Sequence, residues 1–320
     1  MRCAVDIGAT RTMLALVEAD APQVIAWERP MTDSLFKGEL PPVQALAEAL
    51  RAFVTSHGVT LSDLSGIGIG VPGVADRRQG LVVSCPNLPI LDGLLLGPLL
   101  SQELGVPVYV DNNTNLICLG EHTAGLGQGI HNLAVIFVGS GVGCGLIIND
   151  ELYEGSDGAA GEFGHMIVVP NGLQCACGAH GCLEMYCSGK ALARVASQIF
   201  MPRDLYAMDT RFGGAQLLIE HARIGDRSCI RALDEAFTYL GIGLTSLVNL
   251  LNPRMVILGG GIIMAWPQGV DRAREVVMSE ALPAVRRNLH IELSQLQNFA
   301  GVLGGAALVS AQGKIGRHHS

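Results

Sequence analysis

The sequence predicts an α/β protein of two domains, and three observations carry that expectation. Short apolar segments alternate with segments whose apolar residues recur every three to four positions. These are the signatures of buried strands and of amphipathic helices. The chain has 320 residues, enough for two domains of ordinary size. Three of the apolar segments run directly into glycines: VDIGATRT (5–12), IFVGSGVGCGLII (136–148) and VILGGGI (256–262).

Taken in order, Arg2–Asp6 and Thr12–Glu18 read as two strands joined by a tight glycine turn, with Val24–Arg29 as a third. Val43, Leu46, Leu50, Phe53 and Val54 have helical spacing, from Pro42 to near Gly58. Gly66–Val71 is a short buried strand stopped by Pro72 and Gly73, Val106–Val110 is another, and a helix starts near Asn113. Leu133–Val138 and Leu146–Ile148 are strands on either side of a glycine loop, and a loop-rich region follows from Asn149 to about Glu184. A helix fits Gly189–Ile199. Ile230, Leu233, Phe237, Leu240, Leu244, Leu247 and Leu251 share one face of a helix over Ile230–Leu251, the clearest helical period in the chain. Arg254–Leu258 is a buried strand, and helices over 269–282 and from Leu303 close the chain. No linker, low-complexity block or repeat is present.

Composition excludes several classes. Hydrophobic residues make up 49% and charged residues 16%, the reverse of a disordered chain. Glycine is abundant, at 41 residues, but it has no three-residue period and proline is only 14, which excludes collagen. A net charge of −8 argues against a broad surface for nucleic acid or anionic lipid. The N-terminus lacks the apolar run of a signal peptide. The stretch without Asp, Glu, Lys or Arg from His122 to Asn149 is broken by glycines and polar residues, so no membrane span is expected. A cytoplasmic location is the expectation. Nine cysteines, an odd number, argue against a disulfide framework. Cys3, Cys85, Cys118, Cys144, Cys187 and Cys229 lie among apolar residues and read as small buried hydrophobes. His318 and His319, in the closing GKIGRHHS, are given no role.

The three glycine loops share one physical form. Glycine lets the backbone turn and approach a ligand, and successive N–H groups in such turns form an anion-binding concavity. Asp6, at a strand end before the first turn, is placed to hold a metal bound to that anion. A nucleotide held between two domains is the expectation. The motif GxxxxGK[ST] is absent, and so is GxGxxG after the first strand, so this is neither a P-loop protein nor a simple dinucleotide binder.

His165 is followed by Cys175, Cys177 and Cys182 within GEFGHMIVV and CACGAHGCLE. Cys₃His is a complete tetrahedral zinc set with no position left for water, so a structural zinc is expected. Gly178 and Gly181 would let the short loop wrap the ion. His180 lies inside the loop and ranks below His165 as a ligand.

Together these motifs resemble the ROK family (repressor, open reading frame, kinase), whose sugar kinases have the two-domain actin-like ATPase (ribonuclease H-like) fold. The matching pieces are DIGATRT (6–12), CPNLP (85–89), VDNNTN (110–115), FVGSGVGCGLIINDELYEGSDGAAGEFGH (137–165), CACGAHGCLE (175–184) and VILGGG (256–261). They come in the family's order and cover the chain from Asp6 to Gly305. The regulators of the family carry an N-terminal DNA-binding helix-turn-helix. Here the glycine turn begins at Asp6, which favours kinase over repressor. Within the family, CPNLP, CLEMYCSGKAL and MPRDL (201–205) are similar to the D-allose kinases, with glucokinase or fructokinase specificity as the alternative.

The resemblance implies a small domain of residues 1–112 plus 303–320 and a larger one, 113–302, carrying the zinc. It implies that ATP and Mg2+ meet Asp6, Gly8, Ala9, Thr10 and Arg11, helped by Gly139, Ser140, Gly141, Val142 and Gly143. Gly259, Gly260 and Gly261 would face the adenosine. Asn87, Asn112, Asn113, Glu162, His165 and Glu184 would meet the hexose, His165 using one ring nitrogen for zinc and the other for the sugar. Gly73 and Gly304-Gly305 read as hinges between the domains or as turn glycines. A homodimer is common in such kinases.

The sequence departs from the family at one position. The family's catalytic base is the aspartate of N-D-x-N, and here that position is Asn113. A neutral amide accepts a hydrogen bond but not a proton. Three readings follow: a kinase with its base removed, a kinase in which Asp111 takes over, and a sugar-binding relative that does no chemistry.

Overall fold

The computed structural model describes residues 1–36, 38–201 and 213–315. MPRDL lies, apart from Met201, outside them. In chain order the strands are β1 (Arg2–Ile7), β2 (Thr12–Val17), β3 (Val24–Glu28), β4 (Ile67–Val71), β5 (Val74–Asp76), β6 (Leu81–Ser84), β7 (Val108–Asn112), β8 (Asn132–Val138), β9 (Val142–Ile148), β10 (Glu151–Leu152), β11 (Met255–Gly259) and β12 (His290–Leu293). The helices are α1 (Thr32–Phe36), α2 (Pro42–Ser56), α3 (Leu96–Leu104), α4 (Asn113–Ala124), α5 (Glu184–Cys187), α6 (Gly189–Ile199), α7 (Gly213–Arg223), α8 (Arg227–Leu251), α9 (Gly261–Ala265), α10 (Gly269–Glu280), α11 (Pro283–Arg286) and α12 (Ala300–Ile315).

The chain forms two compact units: Met1–His131 with Gly145–Ala160 and Gln295–Ser320, and Asn132–Cys144 with Gly161–Ser294. The sequence places the boundary at 112/113. The observed units instead keep α4 and the 145–160 segment with the N-terminal part.

The first unit is built on the sheet β3-β2-β1-β4-β7. β1 pairs antiparallel with β2 and parallel with β4, and β4 pairs parallel with β7. One face buries Val5, Leu14, Leu16, Ile67, Ile69 and Val110 against Leu46, Leu50 and Phe53 of α2 and Leu96 and Leu100 of α3. The other face buries Ala4, Met13, Ala15 and Val17 against Val302, Leu303 and Ala306 of α12. Helix α12 also packs along α4, backbone to backbone. A Cβ on Gly304 would sit 1.7 Å from the Leu116 carbonyl oxygen, and one on Gly120 would sit 2.0 Å from that of Ala300. Gly304 and Gly305 are therefore neither hinge nor turn. They are the close-packing face of a helix that begins at Ala300 rather than Leu303. Gly73 faces Ser84 across the β5–β6 hairpin.

The second sheet runs β10-β9-β8-β11-β12, with β11 parallel to both β8 and β12. Strand β9 begins at Val142, so Gly143 and Gly145 are strand residues rather than loop. The chain passes between units within that strand. Helix α8 starts at Arg227, because Asp226 accepts from the N–H groups of Ser228 and Cys229, and it ends on left-handed Asn252. Its buried face holds Leu233, Phe237, Leu240, Leu244 and Leu247 of the predicted stripe, while Ile230 is only partly buried and Leu251, in the last turn, is exposed. Among the elements the sequence did not show, α3 carries Gly97 and Pro98 near its start and α7 opens on two glycines. Both read locally as breakers. Among the described residues no helix is long and apolar enough to cross a membrane.

Candidate functional site

In the first unit, β1 and β2 are joined by the turn 8–11, closed by the Gly8 N–H donating to the Arg11 carbonyl at 3.0 Å. Thr32 braces it. Its N–H donates to Thr10 O at 2.9 Å and its hydroxyl to Gly8 O at 2.7 Å. At the foot of the turn, Asp6 Oδ1 is buried and has no hydrogen-bond partner. Burial pushes its carboxyl up to about 6, against a weaker pull from Arg29. Across from it, a Cβ on Gly301 would lie 2.6 Å from Asp6 Oδ2, so only glycine leaves that carboxylate room. The residues fit a cation carried by an anion: a bare carboxylate oxygen beside a backbone turn.

The end of β7 presents Asp111 to Asn113. Asn112 is the N-cap of α4. Its Oδ1 accepts from the N–H groups of Thr114 and Asn115, and its Nδ2 donates to Gly73 O at 2.6 Å. Most of the amide that the resemblance assigns to sugar is thus used by the fold. Asn113 is the first residue of α4, partly exposed, with Oδ1 3.4 Å from the Thr114 hydroxyl. Asp111 is only 2% exposed. Its Oδ1 accepts from the Asn112 N–H at 2.7 Å and from Asn115 Nδ2 at 2.9 Å. Burial pushes its carboxyl up to about 6, opposed by Asn115 and Arg77. Its Oδ2 is buried without a hydrogen-bond partner, with Arg77 Nη1 3.9 Å away. Asn87 lies exposed in the loop after β6.

In the second unit, two of the three glycine loops meet. Gly259 pairs with Phe137. Gly260 turns at φ +99°, and a Cβ there would be 2.3 Å from the Val138 carbonyl oxygen. The Gly139–Gly141 turn closes on itself at 3.0 Å and docks on the start of α6, where the Gly189 N–H donates to Gly139 O at 2.8 Å.

The Cys–His cluster lies in the same unit. The ligand atoms of His165, Cys175, Cys177 and Cys182 are all within 4.8 Å of one another. Zinc–sulfur bonds of about 2.3 Å give tetrahedral edges of roughly 3.8 Å. The Cys177 and Cys182 sulfurs are 3.6 Å apart, and Cys175 Sγ is 3.7 Å from His165 Nδ1. The residues fit a tetrahedral zinc. His180 is exposed and is not in the cluster. Imidazole Nδ1 faces the thiols, while Nε2 lies 3.7 Å from Glu162 Oε2. Glu184 Oε1 is 3.3 Å from Cys175 Sγ and 3.9 Å from His165 Nδ1. A Cβ on Gly141 would be 3.0 Å from Glu184 Oε2. His165 and Glu184 therefore border both the cluster and a glycine loop or a second acid. Burial pushes the Cys175 thiol up to about 12, while the Ala179 N–H brings Cys177 down to about 7.

Of the expected site residues, Asp6, Gly8–Arg11, Asn87, Asn112 and Asn113 belong to the first unit. Gly139–Gly143, Glu162, His165, Glu184 and Gly259–Gly261 belong to the second. One group escaped the sequence altogether. Arg77, in the β5–β6 turn, pairs with Glu154 after β10 and lies 3.9 Å from Asp111 Oδ2. No local spacing signals a partnership among three segments so far apart.

Known proteins extend the pattern over the whole chain. The glucokinase of Halalkalibacterium halodurans is 33% identical over 96% of this chain and 94% of its own length. The xylose repressor of Caldicellulosiruptor bescii is 35% identical over 83% of this chain and 68% of its own. The crystal structure of a ROK family glucokinase from Streptomyces griseus, in complex with glucose and AMPPNP, superposes with a TM-score of 0.81 at 30% identity, over 97% of this chain and 99% of that one. That likeness gives the two-domain α/β architecture as the actin-like ATPase fold. The ROK family model matches residues 2–312, and the chain belongs to the ROK family.

Proposed function

We propose that the chain is an ATP-dependent hexose kinase, transferring the γ-phosphoryl group to the 6-hydroxyl of D-allose or a related hexose. The observation that carries this reading is Asp6: a buried carboxylate oxygen without a partner, at the foot of a glycine turn. Burying an unpaired charge is expensive, and a magnesium ion on nucleotide phosphates would supply the missing partner. Full-length similarity to glucokinases supports the same reading.

In this reading the Gly8–Arg11 turn and Gly139–Gly143 receive the phosphates, and Gly259–Gly261 the adenosine. Magnesium, when bound, would neutralise phosphate charge during transfer. Glu162, Glu184 and His165 Nε2 accept from and donate to sugar hydroxyls, joined by Asn87 and by the remaining amide hydrogen of Asn112. His165 Nδ1, Cys175, Cys177 and Cys182 would hold a structural zinc that fixes the imidazole. CPNLP and CLEMYCSGKAL favour D-allose, while the glucokinase relatives favour D-glucose. Asn113 stands at the base position and its amide takes no proton, so turnover is slowed by about 10²–10⁴.

A second reading, a sugar-responsive regulator that does no chemistry, is favoured by Asn113 and by the similarity to xylose repressors. Calorimetric titration with D-allose, D-glucose, D-fructose, D-mannose and N-acetylated hexoses, paired with coupled ATP turnover, separates the two. Hexose binding with turnover restored by Asn113→Asp supports the kinase. Binding without turnover in either protein rejects it.

A further inference from the structure

We propose that Arg77 is a positioning residue for the hexose half of the site, tying the 154–160 loop to the strand end that carries Asn112 and Asn113. The role in sugar binding rests on the kinase reading above. The tether itself stands on geometry within the first unit. One nitrogen, Arg77 Nη1, pairs closely with Glu154 Oε1 and lies 3.9 Å from Asp111 Oδ2. The three side chains are 17%, 27% and 3% exposed. Among the described residues, Arg77 is the only cation in ion-pair range of either acid.

Each end of the tether holds a segment. Asp111 Oδ1 grips the Asn112 N–H and the Asn115 amide, and so fixes the first turn of α4. Glu154 is the foot of a loop closed by the Ala160 N–H donating to Glu154 O at 3.0 Å, with Gly155 and Gly158 at positive φ. A Cβ on Gly158 would lie 3.3 Å from Ala75 O, so the loop rests on the hairpin whose turn supplies Arg77. A guanidinium placed for one strong ion pair turns its two-pronged face onto one carboxylate. Here Nε is buried without an acceptor and a single nitrogen serves two acids. That geometry gives up one ideal pair and joins two segments.

Because one nitrogen does the joining, a lysine ammonium should replace it in large part and a methionine should not. Removing the cation leaves buried Asp111 Oδ2 and the partly buried Glu154 carboxylate without their shared counter-charge. The test compares wild type, Arg77→Lys and Arg77→Met by amide hydrogen exchange and by calorimetric titration with D-glucose and with AMPPNP. In Arg77→Met, exchange over 112–116 and 154–160 rises about tenfold or more, D-glucose affinity falls about tenfold and AMPPNP affinity holds. Arg77→Lys stays near wild type in all three. Unchanged exchange in those segments, or an equal rise across β1 and β4, overturns the proposal. So does a lysine variant that behaves like the methionine one. If Arg77→Met does not fold, Glu154→Gln decides: faster exchange confined to 154–160 supports the tether, and no change refutes it. A wild-type protein that binds no hexose refutes the kinase reading, and the exchange measurements still decide the tether.

Discussion

Glu184 Oε1 lies 3.3 Å from Cys175 Sγ and 3.9 Å from His165 Nδ1, so one carboxylate touches the thiol–imidazole cluster while its other oxygen faces Gly141. A residue assigned to sugar by resemblance thus shares its environment with the Cys–His cluster. Hydrogen bonds to a charged group are worth about 1.5–3 kcal/mol. Glu184→Gln should therefore weaken hexose binding by roughly ten- to a hundredfold. It should leave about one zinc per chain by elemental analysis, because Glu184 is not one of the four ligands. Loss of the zinc in that variant would place Glu184 in the metal site instead.

Asn113→Asp restores a carboxylate at the first position of α4, next to the N-cap Asn112. Negative charge is welcome at a helix N-terminus, so the folded state should tolerate the change. We expect kcat to rise by about 10²–10⁴ with little change in hexose KM. Steady-state kinetics with the hexose that binds best checks it.

Gly304 meets the Leu116 carbonyl so closely that an added Cβ would stand 1.7 Å away. Gly304→Ala forces α12 off α4 and should destabilise the first unit by about 3 kcal/mol, the upper part of the overpacking range. A hinge glycine would instead tolerate alanine with altered kinetics. Urea denaturation followed by circular dichroism distinguishes these outcomes.

Asp111 titrates near 6 in the folded protein against an ordinary value of 3.8. Between those values the folded state binds a proton that the unfolded state has released. Stability from this group is therefore highest at low pH and is lost as pH rises through about 6. Asp111→Asn keeps the Oδ1 acceptor for Asn112 and Asn115 and removes the titration. The wild type should lose stability relative to Asp111→Asn as pH goes from about 4.5 to 7, as read by urea midpoints across that range. Parallel pH curves for the two proteins would refute the shift.

What was legible in the sequence was mostly local. The Cys–His cluster falls within a single stretch from His165 to Cys182, where glycine spacing and side-chain chemistry already define the set. The strand-to-glycine loops and the long α8 period are likewise carried by adjacent residues. The α4 start near Asn113 is legible too, but the double use of the Asn112 amide, which caps α4 and donates to Gly73 O, depends on the helix and on the segment beside it.

The sequence by itself determined eight of the twelve strands, the glycine turns and the Cys₃His set, because each depends on neighbours along the chain. The tertiary structure alone decided that Gly304 and Gly120 are packing surfaces, that Asp111 is buried, and that Arg77 meets Glu154 and Asp111. Those facts depend on which strand lies beside which. Side-chain type does not encode the meeting of charges from the β5–β6 turn, the end of β7 and the segment after β10. Pairing β4 with β7 and closing the hairpin does.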